Sequence, residues 1–210
     1  MGFLKNLLFP DFCIYCKSIG SPICFNCLKN FEPYYYKRNT SSYVALYHYN
    51  SPASFLLKKA KYRNNKHILE HFLQIISPSV LNKTKEEFKK LKNPLLLFVP
   101  NSKQDRRVRG YNQAELLANY LAKIFALTTK DWLLQIGKKP KRQSMFKSHK
   151  DRWQNVKRIY GFKQEIVIKN QDFILVDDVV TSGATTKTII KLLLQKKARR
   201  VMVWSLFRSY

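Results

Sequence analysis

Phe173-Ile174-Leu175-Val176-Asp177-Asp178-Val179-Val180-Thr181-Ser182-Gly183-Ala184-Thr185 is the stretch from which the rest of the chain can be ordered. Its four leading apolar residues show no polar alternation, the pattern of a strand buried on both faces in a parallel sheet. The two carboxylates then fall at the carboxyl end of that strand, where open α/β sheets bind their ligands. Gly183 allows a tight backbone turn. Thr181, Ser182 and Thr185 place hydroxyls beside the first free N–H groups of a helix expected over residues 184–195. Such a nest suits a 5′-phosphate, and two short carboxylates a turn earlier suit the vicinal hydroxyls of a ribose.

Working outward, residues 95–99 form a second apolar run closed by Pro100, residues 201–207 a last strand, and residues 43–49 an early one. Between them, residues 55–62, 66–76 and 114–125 carry apolar positions at helical spacing. Strands alternating with helices predict an α/β fold built on a parallel sheet, and no internal repeat is visible.

The 210 residues hold 39 Lys and Arg against 13 Asp and Glu, a net charge of +26 spread along the whole chain. A field of that sign attracts polyanions. An A+T-rich genome favouring Lys codons accounts for part of the excess but not for the shortage of acids. The basic residues concentrate at 58–66, 103–109 and 138–158, the last with nine Lys or Arg against Asp151. A segment so charged is either a solvated loop or a surface that closes on an anion. Arg106, Arg107, Arg109, Lys139, Arg142 and Arg152 are the candidate phosphate-backbone contacts. Trp153, set among charges, is the best candidate for stacking a base, ahead of Tyr34, Tyr35, Tyr36, Tyr111 and Phe146. No run of about 18 apolar residues exists, so a membrane-spanning helix is excluded on length. Residues 3–10 are too short for a secretory signal, and the expected location is the cytoplasm.

All four cysteines lie early, as Cys13-x2-Cys16 and Cys24-x2-Cys27, with Gly20 and Pro22 in the turn between the pairs. Two such knuckles can wrap one ion with four thiolates, which suits zinc. Disulfides and an iron–sulfur cluster are the alternatives. A reducing cytosol opposes the first, and nothing else points to electron transfer. With no open coordination position the metal would be structural, and it would supply much of the folding free energy of so small a module. The polar run at 39–42 marks the expected boundary between this module, residues 1–40, and a larger domain, residues 41–210.

The stretch at 173–185 resembles the signature of the type I phosphoribosyltransferase fold at every position. That resemblance implies that Asp177 and Asp178 hold the ribose hydroxyls of phosphoribosyl pyrophosphate. Thr181, Ser182, Gly183, Ala184 and Thr185 would take its 5′-phosphate, with Mg2+ accompanying the ligand. The order of the paired knuckles, Leu8-Phe9-Pro10, Val99-Pro100, Arg109-Gly110-Tyr111-Asn112-Gln113 and the terminal phosphate loop resembles ComF-type competence proteins across essentially the whole chain. Membership of that family implies zinc at Cys13, Cys16, Cys24 and Cys27. It also implies a pyrophosphate loop at Pro100, Asn101, Ser102 and Lys103, and polar flexible-loop positions at Arg142, Gln143, Arg152 and Asn155. Asn101 and Ser102 depart from the apolar residue and His expected there. The family implies handling of incoming single-stranded DNA during natural transformation, in contact with the inner-membrane uptake machinery. The alternative is a working phosphoribosyltransferase of nucleotide metabolism. The sequence leaves catalysis, acceptor and oligomeric state open.

Overall fold

The apolar run at 173–176 lies at the centre of the sheet. In the computed structural model, which describes residues 11–31, 33–38, 41–61, 65–137 and 159–209, Phe173, Ile174, Leu175 and Val176 are all fully buried. They belong to β7 (Asp172–Val180), flanked by β8 (Arg200–Arg208) and β3 (Leu95–Phe98). Burial on both faces is what a strand without polar alternation requires.

Outward from this centre, β2 (Ser41–His48) pairs with β8 and β4 (Thr128–Lys130) pairs with β3, so that β2, β8, β7, β3 and β4 run parallel. β1 (Pro33–Arg38) adds to β2 as an antiparallel edge, giving the order β1-β2-β8-β7-β3-β4. Residues 33–38 therefore extend the sheet that residues 41–48 enter. A separate two-stranded ribbon pairs β5 (Leu133–Gln135) with β6 (Tyr160–Phe162).

Seven helices are described, and they flank the sheet: α1 (Phe25–Leu28), α2 (Ser51–Ala60), α3 (Lys66–Gln74), α4 (Pro78–Phe88), α5 (Lys103–Arg109), α6 (Gln113–Phe125) and α7 (Ala184–Gln195). Their ends are set by local chemistry. Asn50 accepts from the Ala53 N–H at the start of α2, and Asn112 accepts from the Ala114 N–H at the start of α6. α5 is fixed between Ser102, whose Oγ accepts from the Asp105 N–H at 2.9 Å, and Gly110, which ends it at φ +76°. α6 packs across β3, β4 and β7, and α7 packs on β8.

The cysteine knuckles share this core. Ile23 and Phe31 are buried, and the Phe31 ring lies 4.8 Å from Phe72 and 6.3 Å from Phe207, centroid to centroid. Tyr15 donates to the Pro52 carbonyl at 2.7 Å and packs on Phe55. Among the described residues no helix is long and apolar enough to cross a membrane.

Candidate functional site

Parallel register brings the ends of β3 and β7 together. Phe98 pairs with Val176, and the next amide, Val99, donates to the Val176 carbonyl at 2.9 Å. Pro100 and Asn101 therefore lie beside the acidic pair. Each carboxylate accepts a hydrogen bond from the backbone one residue on: Asp177 Oδ1 from the Asp178 N–H at 2.9 Å, and Asp178 Oδ1 from the Val179 N–H at 2.8 Å. Short side chains tied to their own strand in this way are preorganised for hydroxyl donors.

A cavity of about 320 Å3 opens over this end of the sheet. Asp177, Asp178, Thr181 and Thr185 line one side, and Pro100, Asn101, Arg109 and Gln113 line another, with Lys61 and Gln135 also at its wall. Gly183 caps α7 at φ +71°, in the left-handed region that glycine adopts without strain, and it brings no side chain to the helix terminus. The first N–H groups of α7 and the positive end of its dipole thus face the loop 181–183, a setting that favours an anion.

The expected ligand positions separate into groups. Asp177, Asp178, Thr181, Thr185, Pro100 and Asn101 converge on the cavity. Ser182 and Gly183 line a neighbouring cavity with Tyr43, Lys187 and Arg208, and Ala184 is the first residue of α7. Ser102 is the helix cap of α5, so its hydroxyl is engaged with Asp105, and Lys103 is an exposed position of the same helix. Arg109 turns inward, with Nη2 2.9 Å from Asp105 Oδ1 and Nη1 3.1 Å from Gln113 Oε1, whereas Arg106 and Arg107 are exposed. Tyr111 is half-buried and donates to the Ala60 carbonyl. Burial first, and then the charge of Asp178, push its phenol pKa up. Lys139, Arg142, Gln143, Phe146, Arg152, Trp153 and Asn155 lie outside the described residues, as do the side chains of Tyr34, Tyr35 and Tyr36.

The sequence reading named Gln113 only as part of a family element. Its signal was available: a polar residue opening an amphipathic helix, set four residues after Arg109.

The four cysteine sulfurs form a second constellation, all within 4.8 Å of one another. Tetrahedral thiolate ligation at about 2.3 Å places sulfurs about 3.8 Å apart, so the cluster fits one four-coordinate ion. Three thiols are held below the ordinary range. At Cys16 the chief cause is the Ser18 hydroxyl, and at Cys24 it is the Cys27 N–H. At Cys13 burial opposes the shift, and the amides of Cys16, Cys24 and Tyr15 outweigh it. Cys27 is pushed up to about 12, by burial first and then by its contacts with the other three sulfurs. Four thiolates at this separation repel, and a bound cation removes that repulsion.

No family model matches the chain. It is 30% identical to Competence protein F of Haemophilus influenzae over 206 residues, covering 93% of this chain and 85% of that protein. The chain belongs to the ComF family. It is also 26% identical to the DNA utilization protein YhgH of Escherichia coli O157:H7 over 89% of this chain and 78% of that one. Among solved structures, this ComF-family chain is similar to a hypoxanthine phosphoribosyltransferase of Staphylococcus aureus at 13% identity and a TM-score of 0.40, covering 65% of this chain and 62% of that one. The parallel five-strand sheet, with Asp177 and Asp178 near the carboxyl end of its central strand, agrees with the phosphoribosyltransferase-like fold that the resemblance at 173–185 implies.

Proposed function

We propose that this ComF-family chain handles incoming single-stranded DNA in the cytoplasm during natural transformation, in contact with the inner-membrane uptake machinery. In this reading its sheet end binds phosphoribosyl pyrophosphate. The observation that carries it is the convergence of Asp177, Asp178, Thr181 and Thr185 on one cavity at the carboxyl end of β7. Two acceptor side chains suit the ribose hydroxyls, and the start of α7 suits the 5′-phosphate. Mg2+ would enter with the ligand, held by its pyrophosphate and ribose oxygens and by water. Zinc is the metal that four clustered thiolates and no open position suit best, and its role at Cys13, Cys16, Cys24 and Cys27 is structural. The DNA role is supported by the relatives' names and by the net charge of +26.

Fluorescence anisotropy with a labelled single strand, at two salt concentrations and with or without phosphoribosyl pyrophosphate and Mg2+, tests the reading. Salt-sensitive binding that changes on adding the sugar ligand is expected. Absence of DNA binding under every condition would overturn it in favour of phosphoribosyl transfer, to be followed by pyrophosphate release across the common nucleobases.

A further inference from the structure

Gln113 is 1% exposed and lines the cavity, yet its Nε2 has no hydrogen-bond partner among the described residues. The direction of its amide is dictated by its neighbour. Arg109 Nη1 donates to Gln113 Oε1 at 3.1 Å, and a guanidinium has only donors, so the amide oxygen must face Arg109 and the NH2 group must face away. Arg109 is in turn fixed by Asp105, and Asp105 Oδ2 accepts from the Ser102 hydroxyl at 2.7 Å. The start of α6 is anchored independently, because Asn112 Nδ2 donates to the Val99 carbonyl at 3.0 Å while its Oδ1 caps the helix.

A second orphan donor lies on the same cavity. Asn101 Nδ2, in the loop after β3, is buried and without a partner among the described residues. Buried amide donors are nearly always paired, and each one left unpaired costs stability. Two on one cavity wall mark the place of an acceptor supplied by a ligand. Asp177 and Asp178 offer the opposite chemistry, since ionised carboxylates only accept. The cavity is thus acceptor-walled at β7 and donor-walled at the β3 loop and the start of α6. Its described charged lining is Lys61 and Arg109 against Asp105, Asp177 and Asp178, one net negative charge. The donor wall must therefore select by hydrogen bonding and not by net positive charge. A ribose seated with its hydroxyls on the carboxylates presents to that wall whatever it carries on C1, and a diphosphate is a group with many acceptor oxygens and no carbon-bound bulk.

We propose that Gln113 is a specificity-determining residue that donates from Nε2 to the diphosphate on C1 of the phosphoribosyl ligand, beside Asn101. Ser102, Asp105 and Arg109 are positioning residues that aim it. This rests on the phosphoribosyl reading above and adds a residue to it.

The test compares two ligands that differ at C1. The full chain, in buffer containing Mg2+, is titrated calorimetrically with phosphoribosyl pyrophosphate and with ribose 5-phosphate, which lacks the diphosphate. Gln113→Met keeps the volume and removes the donor, and Asn101→Ala alters a half-buried loop position. Each is expected to raise Kd for phosphoribosyl pyrophosphate about tenfold to a hundredfold, the range for a lost hydrogen bond to a charged group, and to leave ribose 5-phosphate within about twofold. Equal losses for both ligands, or no loss for either, would overturn the assignment while leaving the phosphoribosyl site standing. If the unaltered chain binds neither ligand, the site reading and the assignment fall together.

Discussion

Arg199 closes a two-point grip on Asp172: Nε lies 2.7 Å from Oδ1, and Nη2 contacts Oδ2. Oδ2 also accepts from the Lys92 N–H at 2.7 Å. Asp172 opens β7 and is fully buried, so this carboxylate ties the turns before β3 and β8 to the foot of the central strand. Burial alone would raise its pKa. The hydrogen bonds from Arg199 and Lys92 outweigh burial and hold it below the usual carboxylate value. A depressed folded pKa contributes stability that is fully present above the unfolded value of about 3.9 and is lost as pH falls through the folded one. Asp172→Asn is therefore expected to cost about 2 kcal/mol in urea unfolding at pH 7. That lies below the full range for breaking a buried pair because the Arg199 side chain keeps 31% of its surface exposed. Its difference from the unaltered chain should shrink progressively below about pH 4, and a constant difference down to pH 2 would refute the electrostatic account.

At Gly183 the obstacle to substitution is conformational. A Cβ there would meet Thr186 Oγ1 at 3.6 Å, an ordinary contact, but the backbone φ of +71° is strained for any L side chain. Gly183→Ala is expected to lose about 1 kcal/mol of stability by denaturant titration. It should also weaken ribose 5-phosphate binding, because the turn sets the direction of the first α7 amides. Asp177→Asn with Asp178→Asn should abolish binding of phosphoribosyl pyrophosphate and leave the metal content unchanged. Retained affinity in the double variant would mean that the ribose lies elsewhere.

Where one strong signal dominated, the sequence was readable. The strand that carries Asp177 and Asp178 and the helix 184–195 lie where the apolar run and Gly183 place them, and Leu95 to Val99 reads as a strand because it is a pure apolar block. The Cys knuckles were legible from spacing alone, since Cys-x2-Cys has few uses. Other elements lacked such a signal. β4, β5 and β6 are three residues each, too short to show a period, and they form because the sheet and ribbon offer edges. α4 opens on Pro78 and carries Lys83, Lys85, Glu86 and Glu87, the last on its buried face with Val80, Thr84 and Phe88, so its apolar period is masked by charge. α5 buries no residue and exists because Ser102 and Gly110 cap it. The cap engages the Ser102 hydroxyl with Asp105, a local use that its place in the loop did not announce. Gln113 escaped attention because its importance lies in what Arg109 does to its amide.

Metal removal should unfold more than the knuckles. Ile23, Phe31 and Tyr15 reach into the core formed by Phe72, Tyr47 and Phe207, and the His71 ring lies within reach of the Ile23 carbonyl at 3.4 Å. Cys13→Ser, or a strong chelator on the unaltered chain, is expected to lower Tm of the main calorimetric transition by about 5 °C or more. Metal content measured in parallel should fall below one equivalent. A separate small transition at low temperature, with the main one unmoved, would show that the module folds apart from the sheet.

The inward turn of Arg109 separates two electrostatic roles that a list of basic residues merges. Arg106 and Arg107 are exposed on α5, whereas Arg109 is bound to Asp105 and Gln113 at the cavity. If the chain contacts six phosphates of a single strand, affinity should fall by about two to three decades between 50 and 200 mM salt, following a slope of about −0.7 for each contact. Removing Arg106 and Arg107 together should lower that slope by about 1.4 and weaken all strands alike, as phosphate contacts do. Arg109→Leu should leave the slope unchanged and impair phosphoribosyl pyrophosphate binding, because it frees the Gln113 amide to turn. The opposite assignment, with Arg109 alone moving the slope, would require the strand to enter the cavity itself and would make the sugar ligand and DNA direct competitors.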